Sequence, residues 1–242
     1  LFRKKKYVHA VEKVSFDVYK SETLGIVGES GSGKSTLGRV LLKLIKQTSG
    51  KVFYNGQDIM QLNSKEFGKI RRELQMVFQD PYASLNPRIK IGDSIAEPLI
   101  ANCISTNYAE AKKKVYELLD LVGLQPESYE RYPYEFSGGQ RQRISIARAL
   151  VLEPKILVCD EAVSALDVSV QAQILNLFNS LKKRLDLTYL FISHDLSVIK
   201  HISDRILVMY LGEIMELATT DQIFSKTYHP YTEALISAIP DP

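Results

Sequence analysis

Gly28-Glu29-Ser30-Gly31-Ser32-Gly33-Lys34-Ser35-Thr36 decides how this chain is read. It follows the pattern G-x-x-x-x-G-K-[ST] of a phosphate-binding P-loop. The apolar run Leu24 to Val27 stands before it, and Leu37, Val40, Leu41 and Leu44 recur at helical spacing after it. Strand, loop and helix in that order are the context the motif needs. Glycines let the backbone curl so that N–H groups converge on phosphate oxygens at a helix N-terminus. Lys34 is expected to bring a point charge to the β- and γ-phosphates, and Ser35 to hold Mg²⁺. A plain Gly/Ser-rich turn explains neither the fixed positions nor the flanks. The chain is expected to bind a nucleoside triphosphate.

The 242 residues suffice for one large domain, and 45% of them are apolar, ample for a core. A net charge of +3 is too mild to argue for nucleic acid. The basic run Arg3 to Lys6 is expected to be a solvated edge, with contact to anionic lipid the second reading. Cys103 and Cys159 have no metal-ligand spacing, and a reduced, cytosolic setting is expected. No stretch approaches a membrane span, and no signal peptide is visible. The first residue is Leu, as in a piece that starts mid-domain.

Strands are expected at Val8 to Tyr19, where Val14, Phe16 and Val18 alternate, and at Glu22 to Val27. Others are expected at Gly50 to Asn55, before the turn Asn55-Gly56, and at Leu74 to Phe78. Pro81, Pro87 and Pro98 are expected to break the next stretch into loops and short pieces. Ala109 to Val122 reads as an amphipathic helix, and Ser137 opens another to about Val151. Ile156 to Cys159, Thr188 to Ile192 and Ile206 to Met209 read as strands, with a long helix marked by Val170 to Leu185. Strands alternating with helices around a P-loop predict an α/β fold with a parallel sheet. Between Gln79 and Val151 the pattern is helical, as in an inserted subdomain.

Two further stretches carry chemistry. Ile156-Leu157-Val158-Cys159-Asp160-Glu161 is an apolar strand ending in two carboxylates, at the end where ligands of open α/β sheets bind. Asp160 is expected to help hold Mg²⁺ and Glu161 to act as general base on the attacking water. Consecutive strand residues point to opposite faces, so the two acids are expected to divide these tasks. Ser137-Gly138-Gly139-Gln140 is a capping box that starts a helix, and by the same token a second anion site. One domain needs one phosphate cradle, so a second points to another molecule's nucleotide.

Over essentially its full length the chain resembles the nucleotide-binding subunit of an ATP-binding cassette (ABC) transporter. Phe136-Ser137-Gly138-Gly139-Gln140 resembles the family's signature motif, whose usual first residue is Leu. Gln79 resembles the Q-loop glutamine, Ser164-Ala165-Leu166-Asp167 the D-loop, and His194 the switch histidine. Phe78 to Arg88, Asp160 to Gln173 and the tail His229 to Leu235 resemble the oligopeptide/dipeptide/nickel importer subfamily. Ala162-Val163, where the related subunit usually has Pro-Thr, resembles the second of two paralogous ATPases.

The resemblance implies a P-loop NTPase (RecA-like) core with an N-terminal antiparallel β region and an inserted α-helical subdomain. It implies one ABC ATPase domain over residues 1–242, with 1–79 and 152–242 as core and 80–151 as the helical part. Two cassettes would close head to tail over ATP and Mg²⁺, each ATP lying between one P-loop and the partner's Ser137, Gly138, Gly139, Gln140 and Asp167. Ser35 and Gln79 would ligate the metal with Asp160 in support. Glu161 would polarise the water, and His194 would keep it in register with the γ-phosphate. Implied partners are transmembrane permease subunits, a second ABC ATPase and, indirectly, a solute-binding protein, with the chain peripheral on the cytoplasmic face of the membrane.

Two points depart from the family. Many subfamily members carry a cysteine-rich extension associated with an iron–sulfur cluster, and no cluster is inferred from the residues up to Pro242. Tyr7 could stack on adenine, but the family's insertion pattern points to an aromatic before Leu1, and the stacking residue is left unassigned. The rival class is a non-transport ABC ATPase of DNA repair or translation. Repair heads are split by a long coiled coil, and no sustained heptads separate the P-loop from Asp160. A translation cassette would carry two P-loops. A small-molecule kinase has no need of Ser-Gly-Gly-Gln.

Overall fold

A computed structural model describes residues 8–104 and 107–238; the run Arg3 to Lys6 and Tyr7 lie outside them. The elements run β1 (Thr23–Val27), α1 (Lys34–Leu41), β2 (Phe53–Tyr54), β3 (Gln57–Asp58), α2 (Ser64–Glu73) and β4 (Leu74–Val77). Then come α3 (Pro81–Ser84), α4 (Ile91–Ala101), α5 (Tyr108–Leu121) and α6 (Gly138–Leu150). The chain returns through β5 (Ile156–Asp160), α7 (Val168–Leu185), β6 (Thr188–Ile192), α8 (Leu196–Ile202) and β7 (Arg205–Tyr210). It closes with β8 (Glu213–Thr219), α9 (Thr220–Ser225) and α10 (Pro230–Ser237).

Among the described residues six strands form one sheet in the order β4-β5-β6-β1-β7-β8. All neighbours are parallel except β7 and β8. The central strands are apolar along their middles because both faces are covered. Leu157, Cys159, Tyr189, Phe191, Ile206 and Val208 join one core with α4 to α8. Val158, Leu190, Ile192, Leu207 and Met209 join a second core with α1 and α2. The two-residue period of a strand makes this division. It also aims Asp160, two residues past Val158, at the α1 face.

Several expectations change. Residues 8–19 form no strand. Val11, Val14, Phe16 and Val18 do pack against the second core. Alternation reports a half-buried face, and a strand also needs a hydrogen-bonded neighbour. The antiparallel N-terminal β structure is the β2–β3 ribbon, turned at Asn55 (φ 49°) and Gly56 (φ 77°). Leu44, expected on the α1 face, lies beyond the helix end and is exposed.

Proline acts differently from its reading as a breaker. Pro81 opens α3 at its first turn, where a missing N–H costs nothing, and Asp80 caps that turn. Pro98 sits inside α4, whose buried face of Ile91, Ile95, Ala96 and Leu99 keeps the helix intact despite the lost donor. The helix α2 went unforeseen. Phe67, Ile70 and Leu74 mark its core-facing side, and an Asn63–Glu66 capping box marks its start.

Candidate active site

Four neighbouring parallel strands each deliver one site segment at their carboxyl ends. β4 leads to Gln79, β5 to Asp160 and Glu161, β6 to His194, and β1 to the loop 28–36. Gln79 and His194 reach the site from either side of Glu161. The Gln79 Nε2 donates to Glu161 Oε2 at 2.8 Å, and His194 Nδ1 lies 3.3 Å from Glu161 Oε1.

Glu161 has φ 49°, and its N–H donates to the Ile192 carbonyl at 2.9 Å. A left-handed glutamate is strained, and such strain gathers at functional sites. The Ser164 N–H and hydroxyl both bind the Glu161 carbonyl, at 3.1 and 3.0 Å, and brace the turn. The two acids therefore diverge by a different device from the one expected. Strand alternation carries Asp160 to the α1 face, and the left-handed turn past the strand end redirects Glu161.

Asp160 is buried, and Ser35 Oγ donates to its Oδ1 at 2.6 Å. Arg39 on α1 brings a guanidinium nitrogen within 3.6 Å of Asp160 Oδ2. Arg39 escaped the sequence reading, although its place one helical turn beyond Ser35 is the signal that could have found it. The buried Asp160 carboxylate and the Ser35 hydroxyl are hard oxygens, the chemistry Mg²⁺ takes when phosphates complete its shell.

The loop is closed by tight backbone contacts. Gly28 has φ 152°, and a Cβ there would stand 2.0 Å from the Met209 carbonyl oxygen. Gly33 has φ 100°, and a Cβ there would stand 2.1 Å from the Ala10 carbonyl oxygen. No side chain is accommodated at either position. Gly31 (φ 84°) faces open space. Glu29 and Ser30 are exposed, Ser32 is buried, and Thr36 lies half-buried in α1. Lys34 is buried and turned onto its own loop, its Nζ donating to the carbonyls of Gly28 at 2.7 Å and Glu29 at 2.8 Å. Burial pushes its ammonium below the ordinary lysine range, and the carboxylates of Glu161, Asp160 and Glu29 pull it partly back.

The second anion motif forms as a helix start. Ser137 Oγ accepts from the Gln140 N–H at 3.3 Å, and Gln140 Oε1 accepts from the Ser137 N–H at 3.0 Å. Asp167 caps α7 through the N–H of Val170 at 3.1 Å and the hydroxyl of Ser169 at 2.9 Å, which hold its carboxyl below the ordinary range. The two motifs meet each other: Leu166 lies against Gly138, and Val170 against Gly139. Ser137, Gly138, Gln140 and Asp167 are exposed. Among the described residues no hydrogen bond or ion pair joins them to the loop 28–36.

Residues 11–164 match the family model described as ABC transporter. Residues 215–242 match the model described as oligopeptide/dipeptide transporter, C-terminal region. The chain is 53% identical over 241 residues to the oligopeptide transport ATP-binding protein OppF of Haemophilus influenzae, covering 100% of this chain and 73% of that one. It is 53% identical over 240 residues to the dipeptide transport ATP-binding protein DppF of the same organism, covering 99% and 73%. Among solved structures, a dimeric post-hydrolysis state of the ATP-binding cassette MJ0796 bound to ADP and Pi superposes with a TM-score of 0.80 at 29% identity. That match covers 91% of this chain and 94% of that one.

Proposed function

This chain belongs to the ABC transporter family, and from that premise we propose how its residues work. It is an ATPase that energises import of peptides through a membrane transporter, with permease subunits as partners and paired cassettes as the working unit. Its relatives are named for oligopeptide and dipeptide transport, and they lend no support to a DNA-repair or translation role. Among the described residues no helix is long and apolar enough to cross a membrane, so the permease holds the chain at the membrane periphery. The proposal places it on the cytoplasmic face, paired with a paralogous ATPase and served indirectly by a solute-binding protein. It assigns 1–79 and 152–242 to the catalytic core and 80–151 to the helical part that the permease engages.

The convergence of Gln79 and His194 on Glu161 carries the assignment of roles. Glu161, held in a braced turn, takes the proton of the attacking water while its oxygens stay aimed by Gln79 and His194. Lys34 leaves the Gly28 and Glu29 carbonyls for the β- and γ-phosphates, which offer its ammonium stronger acceptors. The loop amides of 28–36 hold the phosphate oxygens. Ser35 and Gln79 supply oxygens to the metal, and Asp160 orients the Ser35 hydroxyl. Held by Ser35 and Gln79, Mg²⁺ would neutralise phosphate charge as the γ-phosphoryl group transfers. Ser137, Gly138, Gly139, Gln140 and Asp167 present exposed donors and a capped helix start to the ATP held by the facing cassette. Splitting the site across two chains makes hydrolysis wait for closure.

The test is ATP hydrolysis in the chain assembled with its permease subunits. Peptide-loaded solute-binding protein should stimulate turnover, Lys34→Ala should remove it, and DNA or ribosomes should leave it unchanged. Stimulation by DNA or ribosomes instead would overturn the proposal.

A further inference from the structure

Tyr231 lies in the segment matched to the oligopeptide/dipeptide C-terminal region, yet its hydroxyl oxygen accepts a hydrogen bond from the Glu29 N–H of the P-loop at 3.1 Å. The chain separation is 202 residues. The contact is held from behind. The Tyr231 ring packs on Tyr210, the last residue of β7, with centroids 4.5 Å apart. The N–H groups of Tyr228 and His229 donate to the Glu216 carboxylate on β8 at 3.1 and 3.3 Å. His229 Nδ1 accepts from the Tyr231 N–H at 3.1 Å and caps α10. Leu235 and Ile236 pack on the main core, and Thr232 is fully buried. The hydroxyl is thus fixed to the sheet by both ends of its helix.

Glu29 is held on two sides. Tyr231 takes its N–H, and Lys34 Nζ donates to its carbonyl at 2.8 Å. When Lys34 turns to phosphates, the carbonyl keeps the Ser32 N–H at 3.1 Å, and Tyr231 still holds the N–H side of the peptide. Burial pushes the Tyr231 phenol above its ordinary range, so it stays neutral beside the phosphate site. We propose that Tyr231 is a positioning residue for the P-loop: it keeps the Glu29 peptide oriented while Lys34 engages ATP, and so lets the C-terminal region set nucleotide affinity. This rests on the assignment of 28–36 as the ATP site.

Tyr231→Phe keeps the ring on Tyr210 and removes the hydroxyl. In the full chain, titration with a fluorescent ATP analogue and Mg²⁺ should give a dissociation constant raised about two- to tenfold, the scale of one hydrogen bond. In the assembled transporter KM for ATP should rise by a similar factor with kcat little changed, since binding and not chemistry is affected. The thermal midpoint without nucleotide should match the parent. Tyr228→Phe, an exposed tyrosine on the same segment, should change none of these. Parental affinity in Tyr231→Phe, or an affinity loss matched by a lower midpoint without nucleotide, overturns the positioning role. Parental ATP binding in Lys34→Ala overturns instead the ATP site on which it rests.

Discussion

Gln79 and Glu161 are 82 residues apart in the chain and share a hydrogen bond of 2.8 Å from the Gln79 amide nitrogen to the Glu161 carboxylate. The bond bridges the ends of β4 and β5, adjacent parallel strands. Gln79 also precedes α3 by two residues, so its side chain sits at the joint between the sheet and the helices that follow. With Glu161 as the proposed base, a shift of those helices would pull on the atom that aims it. The proposed roles would thus give the transporter a mechanical link between those helices and its chemistry.

Glu161→Gln should bind ATP with Mg²⁺ and lose about 10²- to 10⁴-fold in turnover, the usual loss of a general base. The amide keeps the shape of the carboxylate but cannot accept the water's proton. The variant should accumulate as an ATP-bound dimer on size-exclusion chromatography. Parental hydrolysis would place the base elsewhere, with His194 the next candidate.

Asp160→Asn acts on a different step. It weakens the hold on the Ser35 hydroxyl, now 2.6 Å from the carboxylate, and removes the negative charge that faces Arg39. The magnesium concentration for half-maximal ATP binding should rise about 10- to 100-fold, the range for losing an outer partner of a metal ligand. A magnesium titration of nucleotide binding reads this directly. An unchanged midpoint would separate Asp160 from the metal.

Ser137→Arg should spare ATP binding by a single cassette and abolish hydrolysis. Ser137 is exposed at the start of α6, and under the shared-site proposal a long cation there would take the space of a facing γ-phosphate. Binding by fluorescence and turnover by phosphate release distinguish the outcomes. Turnover that persists would rule out a site shared between cassettes.

Gly139→Ala tests the packing of the signature helix on α7. A Cβ at Gly139 would stand 2.4 Å from Val170 Cγ1, within the range where something must shift. Destabilisation of about 1–3 kcal/mol is expected from such overpacking. Adding Val170→Ala should restore most of it, because the clashing methyl is then gone. Urea denaturation of the single and double variants reads both values. A fully stable Gly139→Ala would mean that the two helix starts part easily.

The sequence by itself determined the chemistry that is local. The P-loop, Ser137 and Gln140, and the paired acids after Ile156 to Cys159 are contiguous, and their helices and strands form where periodicity and capping rules put them. Order alone placed Gln79 and His194 among the site residues, through likeness to a family whose motifs follow in that order. Only the tertiary structure decided what long-range pairing decides. The strand order β4-β5-β6-β1 brings Gln79, Glu161, His194 and the P-loop to one edge, which no local pattern encodes. Residues 8–19 have the alternation of a strand yet form none, although the Glu12 N–H donates to the Gly212 carbonyl at 2.8 Å. The left-handed turn at Glu161, the approach of Arg39 to Asp160 and the reach of Tyr231 to Glu29 each depend on where a distant backbone lies. Periodicity specifies which face of an element is buried; the close packing of the whole chain specifies against what.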